Sequence, residues 1–177
     1  MSRLSLYAHR TVRLSRLPMS ESPDTLMEIT RHTKGRILLV GRKIGQEKFR
    51  VLKDALRVEA KPSKYPTGKN QIPWKSGLLT RFNEGDFESI ILHRFIYKPT
   101  KPYIEDPGKI LTEVKRILPK EGVLVVNSFL LDEKTKGFRS ADCFYTEEEM
   151  MDLLRRQPFK DVICVRVSDA ISFVCKK

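Results

Sequence analysis

Two glycines follow an apolar run in the first third of the chain, at a spacing that suits a ligand-binding turn. Residues 37–40 are all apolar and predict a buried strand, and Gly41 and Gly45 come soon after it. Glycines allow a tight turn and let a ligand approach the backbone where a Cβ would obstruct it. The Gly-Lys-Ser/Thr ending of a P-loop is absent, so a Walker-type nucleotide site is not predicted here.

Three interpretations of this turn remain open. The two glycines can cradle an organic cofactor, or they can serve a plain turn from the strand into the helix predicted for residues 46–56. In the third interpretation, Arg42, Lys43 and the N-terminus of that helix bind a phosphate group. These interpretations predict an organic cofactor, no ligand and a phosphate, respectively.

Two titratable side chains stand at the ends of other predicted strands. Glu59 closes the short strand predicted for residues 56–59, and His93 follows the apolar run at residues 90–92. Open α/β sheets bind ligands at the carboxyl ends of their parallel strands, where both side chains are then expected. An imidazole at that edge can act as a general base near neutral pH. The alternatives are a solvated Glu59 and a hydrogen-bonded structural His93.

A basic, proline-containing segment between residues 60 and 83 is the best candidate for nucleic-acid binding. It contains no acidic residue, and its cations are interleaved with the aromatic residues Tyr65 and Trp74. Cations neutralise phosphates, and flat rings stack on unpaired bases. The predicted RNA-binding residues are Lys61, Lys64, Lys69, Trp74, Lys75 and Arg81. The alternative is a solvated loop in which Trp74 packs inward as an anchor.

The overall composition also favours a polyanionic partner. The chain of 177 residues carries 34 Lys and Arg against 22 Asp and Glu, which gives a formal net charge of +12. This excess favours nucleic acid before an anionic membrane. The three cysteines lack metal-ligand spacing, which disfavours a metal site or disulfides and favours a reduced, intracellular setting, cytoplasmic first. No apolar run is long enough to span a bilayer, so no membrane association is predicted.

The elements that would position the candidate residues follow from local patterns in the second half of the chain. Asp106 and Pro107 form an N-cap and a first helical position, and apolar residues then recur at one-face helical spacing up to Leu118. The run that begins at Val123 is apolar on both faces, as in a strand that helices cover on both sides. The pattern predicts an α/β protein with a mainly parallel sheet.

The remaining elements are a helix, a hairpin and a short strand. Thr146 and Glu149 predict a capping box at a helix start. Residues 161–167 and 170–175 predict an antiparallel hairpin at the C-terminal end of the sheet. Residues 77–82 are expected to form a short third strand.

Several motifs of this half resemble those of the class I S-adenosylmethionine-dependent methyltransferases. They are DFESIILH at residues 86–93, RILPKEG at 116–122, FYTEEE at 144–149 and QPFKDV at 157–162. The resemblance covers residues 35–177. It implies a Rossmann-like sheet with helices on both faces, in which the last strand inserts antiparallel between its neighbours.

The resemblance also implies a function. S-adenosylmethionine would be the cofactor, held by Gly41, Gly45 and Glu59, and His93 would lie beside the methyl acceptor. Lys43 replaces the middle glycine of the family's Gly-x-Gly-x-Gly turn, and the interval from Ala60 to Leu92 is shorter than the family's corresponding region. Two functions therefore stay open. One is methyl transfer to a nucleic-acid or associated substrate, and the other is a non-catalytic scaffold that binds RNA or a protein partner through the basic segment.

The first residues of the chain form a separate unit. Residues 1–21 predict a basic, flexible arm, and residues 22–177 are predicted to form a methyltransferase-like domain. The arm carries four arginines and no acidic residue up to position 18, a composition typical of an organellar transit peptide. The alternative is a disordered tail, or an upstream extension that precedes a start at Met19.

Overall fold

The computed structural model describes residues 23–41, 52, 54–59, 71–102, 104–138, 141–167 and 170–177. The predicted N-terminal arm and most of the helix predicted for residues 46–56 lie outside the described residues, as do the candidate residues Gly45, Lys61, Lys64 and Lys69. In the part of the chain that is described, none of the helices is long and apolar enough to cross a membrane.

A seven-stranded sheet organises the described part of the chain. Its strands are β1 (Ile37–Gly41), β2 (Leu56–Glu59), β3 (Gln71–Pro73), β4 (Ser89–His93), β5 (Val123–Asn127), β6 (Asp161–Val167) and β7 (Ala170–Lys176). The order across the sheet is β3-β2-β1-β4-β5-β7-β6. Neighbouring strands are parallel except where β7 pairs with β5 and β6. The predicted mainly parallel α/β sheet with an antiparallel C-terminal hairpin is confirmed.

The described helices are α1 (Pro23–Arg31), α2 (Pro107–Ile117) and α3 (Glu147–Arg156). The predicted N-cap of α2 is present, because the Asp106 carboxylate accepts a hydrogen bond from the backbone N–H of Gly108 at 2.9 Å. The predicted capping box of α3 is also present. The Thr146 hydroxyl accepts from the N–H of Glu149 at 3.2 Å, and the Glu149 carboxylate accepts from the N–H of Thr146 at 2.7 Å. Each cap satisfies backbone donors that a helix start leaves without intrahelical partners.

The third strand does not lie where the sequence predicts it. Within residues 77–82 the chain forms a 3-10 turn, Leu78–Arg81, and β3 lies just before that turn. Gly77 has a left-handed φ of 76°, and the N–H of Thr80 donates to the carbonyl of Gly77 at 3.1 Å, which closes the turn. Both leucines of the turn are buried, so the apolar run reaches the core without strand pairing. The observed strand, β3, includes a proline, which an edge strand tolerates because one side of it needs no N–H donor.

Side chains alternate between the two faces of the sheet. On one face, Leu38 and Ile90 belong to the larger core cluster, which includes Ile110 and Leu111 of α2 and Met150 and Leu154 of α3. On the other face, Leu39 and Ile91 pack in a smaller cluster with Ile29 of α1. The central strands are therefore buried on both faces, as their continuous apolar runs predict.

Candidate functional site

The carboxyl ends of the parallel strands β1 to β5 form one row of residues across the sheet, and the antiparallel β7 continues the row near its amino end. The backbone register aligns Gly41 with Glu59 on one side and with His93 on the other. The register extends the row at both ends, so that in full it contains Pro73, Glu59, Gly41, His93, Asn127 and Ser172. Three residues that the sequence singles out separately are thus neighbours at the edge where α/β sheets hold ligands.

Gly41 is held against the neighbouring strand in a conformation that only glycine adopts readily. Its φ is 123°, and a Cβ at this position would lie 2.1 Å from the carbonyl oxygen of His93. That oxygen belongs to the backbone of β4, so it cannot rotate away as a side chain would. Gly41 is therefore required by the packing of β1 on β4, in addition to any role in binding a ligand.

Buried polar side chains continue the row from β4 across β5 to β7. His93, Asn127 and Ser172 are only 2%, 4% and 5% exposed, and each stands two residues along its strand from a residue of the smaller core cluster. The Asn127 side-chain amide donates to the Ser172 hydroxyl at 3.2 Å and to the Ile171 carbonyl at 3.3 Å. These bonds offset the cost of burying the amide and hold it in one orientation beside His93.

Arg94, the first residue after β4, has a backbone conformation that is unusual for a residue other than glycine. Its φ is 50°, in the left-handed region. Its N–H donates to the Asn127 carbonyl at 2.6 Å, and its own carbonyl accepts from the Tyr97 hydroxyl at 2.9 Å. The guanidinium lies 4.3 Å from the centre of the Phe129 ring, and Arg94 is only 8% exposed. Hydrogen bonds to the N–H and to the carbonyl of Arg94 thus hold the segment that follows His93 in place.

The segments after β4 and β5 pack on each other beyond the edge of the sheet. They form a cluster of Tyr97, Ile104, Phe129, Leu131, Phe138, Cys143 and Phe144. The N–H of Leu131 donates to the carbonyl of Tyr145 at 2.8 Å, which ties the segment after β5 to the residue that follows Phe144. Burial raises the pKa of Tyr145 to about 12, so its phenol stays protonated at neutral pH and can donate but not act as a base. The cluster forms an apolar wall beside the polar row.

The structure contradicts the prediction that Trp74 is a base-stacking platform. Trp74 is only 6% exposed and belongs to the larger core cluster. Its ring packs edge-to-face on Phe95 with 4.7 Å between ring centres. The alternative, in which Trp74 packs inward as an anchor, is correct. Lys75 and Arg81 are exposed, so their predicted contacts with a polyanion remain sterically open.

Three residues of the edge were not predicted from the sequence: Arg94, Asn127 and Ser172. Asn127 ends a run of apolar residues and Ser172 interrupts another, so a polar residue within or at the end of an apolar run was a usable signal. Arg94 gives no such signal, because its contact with the Phe129 ring joins two segments that are far apart in the sequence.

The described side chains offer no cluster of metal ligands, and the cysteines are buried or partly buried. Among the described residues, no group of three His, Cys, Asp or Glu side chains could hold a metal ion. Cys143 and Cys175 are buried, and Cys164 is partly buried. Burial raises the pKa of the Cys175 thiol to about 12, so it is not a nucleophile at neutral pH.

Comparison with known proteins identifies the fold. No protein-family model matches the sequence, and no curated protein matches it either. Among solved structures, a SAM-dependent methyltransferase from Archaeoglobus fulgidus matches with a TM-score of 0.65 and 14% identity, over 86% of this chain and 91% of that chain. The fold is that of the S-adenosylmethionine-dependent methyltransferases.

Two further neighbours show what the methyltransferase fold can accommodate. The 1,6-didemethyltoxoflavin-N1-methyltransferase of Burkholderia thailandensis, with S-adenosylhomocysteine bound, matches with a TM-score of 0.55 and 14% identity, over 87% of this chain and 76% of that one. The 4+2 cyclase SpnF matches with a TM-score of 0.54 and 18% identity, over 80% of this chain and 59% of that one. At these identities the likeness shows the fold, and the reaction has to be argued from the residues of the row.

Proposed function

We propose that the chain binds S-adenosylmethionine at the carboxyl ends of β1, β2 and β4 and transfers its methyl group. The observation that carries this proposal is the alignment of Glu59, Gly41 and His93 in one row. The row is centred at β1, where the strand order reverses. The next strand in the chain, β2, lies on one side of β1, and β4 lies on the other side. Ligands of open α/β sheets bind at such a switch point.

The residues of the row suit this cofactor. Glu59 offers a carboxylate that accepts hydrogen bonds from ribose hydroxyls, and Gly41 keeps the backbone free of a side chain between Glu59 and His93. When bound, S-adenosylmethionine supplies a methyl group on a positively charged sulfur, ready for transfer to a nucleophile. His93 takes the proton that the nucleophilic nitrogen or oxygen of the acceptor loses. Asn127 and Ser172 keep the polar surroundings of His93 ordered.

The proposed acceptor is a nucleic acid or a molecule associated with one. The net charge of +12 supports this choice, as does the exposure of Lys75 and Arg81 beyond β3. The apolar wall formed by the segments after β4 and β5 would limit access to His93 from its side of the edge.

Calorimetric titration with S-adenosylmethionine tests the cofactor. We expect the parent chain to bind it and Glu59→Ala to bind at least about tenfold more weakly, because a charge-assisted hydrogen bond contributes about 1.5–3 kcal/mol. Lys43→Gly should bind more tightly, since it restores a bare backbone between Gly41 and Gly45. Glu148→Ala, an exposed substitution on α3, is the matched control.

Titrations without a binding signal would contradict cofactor binding. If neither the parent nor Lys43→Gly releases heat with S-adenosylmethionine or S-adenosylhomocysteine, the chain is a scaffold that has lost the site. The Glu148→Ala control should match the parent in both titrations.

The second candidate function is a non-catalytic scaffold that binds RNA through the basic segment. Lys43 between the two glycines supports this alternative, because its side chain would occupy the turn that a cofactor needs. One of the structural neighbours is named as a 4+2 cyclase and not as a methyltransferase. A protein partner is the other ligand that such a scaffold could bind.

RNA binding predicts a salt effect that depends on particular lysines. The variant with Lys61, Lys64, Lys69 and Lys75 all changed to alanine should bind single-stranded RNA more weakly. The slope of log affinity against log salt should fall by about 0.7 for each lysine that contacts a phosphate. A control with four exposed lysines removed elsewhere carries the same net charge: Lys120, Lys134, Lys136 and Lys176. Gel-shift titrations at two salt concentrations that show equal losses in both variants would argue against a site in the basic segment.

A further inference from the structure

The strand β6 forms one edge of the sheet. It is the last strand in the sheet order, and among the described strands it pairs only with β7. In an antiparallel pair, alternate residues direct their N–H and C=O groups toward the partner strand, and the residues between them direct theirs away from it. The outer side of β6 therefore presents a row of backbone donors and acceptors with which a further strand can pair.

The composition of β6 lacks the features that usually keep an edge strand from pairing. Natural edge strands are often very short, or they carry proline or lysine. The opposite edge of the sheet follows this rule, because β3 has three residues and ends in Pro73. In contrast, β6 is seven residues long and contains no proline, glycine or lysine. Its charged residues, Asp161 and Arg166, lie near its two ends, and the residues between them are apolar or cysteine.

Exposed apolar side chains lie on β6 and on the helix beside it. In the part of the chain that is described, the exposed large apolar residues are Met27, at 62%, and Ile163, at 48%. Met27 belongs to α1, which contacts β6, and Ile163 belongs to β6 itself. Ile163 shares a face of the sheet with Val165, which packs against the smaller core cluster. Exposed apolar residues on two elements in contact indicate an interaction surface.

A second copy of β6 can pair with this edge over the whole length of the strand. When two identical antiparallel strands are related by a two-fold axis, one residue faces its own copy, and residues equally distant from it on either side face each other. Cys164 is the middle residue of β6, so all seven residues pair when it lies at the axis. Ile163 then faces Val165 of the second copy, and the symmetry makes this apolar contact twice.

Charge favours this register over the neighbouring ones. With Cys164 at the axis, Asp161 and Arg166 both face valines of the second copy. Moving the axis by one residue toward the start of β6 places Lys160 opposite Arg166, and moving it by one residue the other way places Asp161 opposite Asp169. Like charges directly opposite each other destabilise an antiparallel pair. The register that pairs the whole strand is thus also the one that avoids like-charge pairs.

We propose that two copies of the chain pair through β6 and join their sheets, with Cys164 of each copy at the two-fold axis. The outward backbone groups of each strand gain hydrogen-bond partners, and Ile163 becomes buried against Val165 of the second copy. This interface lies at the side of the sheet, and it is independent of the cofactor proposed for the carboxyl ends of β1, β2 and β4.

Sedimentation equilibrium at micromolar concentrations tests the interface. We expect the parent to form a dimer and Ile163→Lys to weaken self-association at least about tenfold, because each dimer loses two buried isoleucine contacts. Thr112→Lys adds the same charge at an exposed position of α2 and is the matched control. A monomeric parent overturns the proposal, whether the edge stays open or another segment covers it. A dimer on which the two variants have the same effect also overturns it.

Oxidative cross-linking tests the register on the parent chain. Opposite residues of an antiparallel pair have Cα atoms about 4.5–5.5 Å apart, within the range of about 4.4–6.8 Å for disulfides. Copper(II) phenanthroline should therefore link two copies through Cys164, taking two electrons from the two thiols as they release two protons. Cys164→Ser should not cross-link, because Cys143 and Cys175 are buried. A dimer without this disulfide, or a cross-link that persists in Cys164→Ser, overturns the proposed pairing, also where Ile163→Lys does not fold.

Discussion

Replacement of Gly41 by alanine is expected to destabilise the protein strongly, although it adds only one methyl group. A non-glycine residue at a φ of 123° costs about 1–3 kcal/mol in backbone strain. The added Cβ would also lie 2.1 Å from the carbonyl oxygen of His93, and the shift of packed strands that relieves this contact costs about 1–3 kcal/mol more. The sum is a large part of the total stability of a typical domain, about 5–15 kcal/mol.

Urea unfolding followed by circular dichroism measures this effect. Gly137→Ala is the matched control, because a Cβ there would meet nothing within 4 Å and the φ of Gly137 is not in the left-handed range. We expect Gly137→Ala to lie within about 0.5 kcal/mol of the parent. A Gly41→Ala protein as stable as Gly137→Ala would show that β1 and β4 do not pack as closely as described.

Replacement of Trp74 by alanine should produce the second large loss. Truncation of a buried aromatic side chain to alanine typically costs about 3–5 kcal/mol, because transfer energy and packing are lost together. Trp74 meets the condition, since it is 6% exposed and packs edge-to-face on Phe95. The melting temperature of Trp74→Ala should therefore fall by many degrees, whereas Trp74→Phe should retain part of the lost stability.

The same variant distinguishes an anchor from a stacking platform. Lys75→Ala changes an exposed neighbour and should leave the melting temperature nearly unchanged. RNA affinity is measured below the melting temperature of the least stable variant. If Trp74→Ala melts with the parent but binds single-stranded RNA more weakly, Trp74 contacts bases and its buried position is not maintained in solution.

Local patterns predict most of the elements correctly because their causes are local. The strand at Ile37–Gly41 is a continuous apolar run, α2 starts at the Asp106 cap, and α3 starts at the box formed by Thr146 and Glu149. Each of these signals acts over a few residues, through backbone hydrogen bonds or through the period of the apolar positions. The resemblance to methyltransferases predicts the order of the elements for the same reason, since it rests on such short motifs.

The third strand shows where local patterns are insufficient. The apolar residues of the segment 77–82 suit a strand and a buried turn equally well, and the left-handed conformation of Gly77 decides between them. The strand itself forms at Gln71–Pro73, where pairing with β2 supplies the hydrogen bonds that the short segment cannot provide alone.

The sequence by itself determined the class of fold, the helix starts and the presence of glutamate, glycine and histidine at three strand ends. The tertiary structure alone decided that Glu59, Gly41 and His93 are neighbours, because the register of parallel strands depends on contacts between distant segments. It also decided the role of Trp74. Whether an indole stacks on a base or fills the core depends on what packs around it and not on its neighbours in the chain.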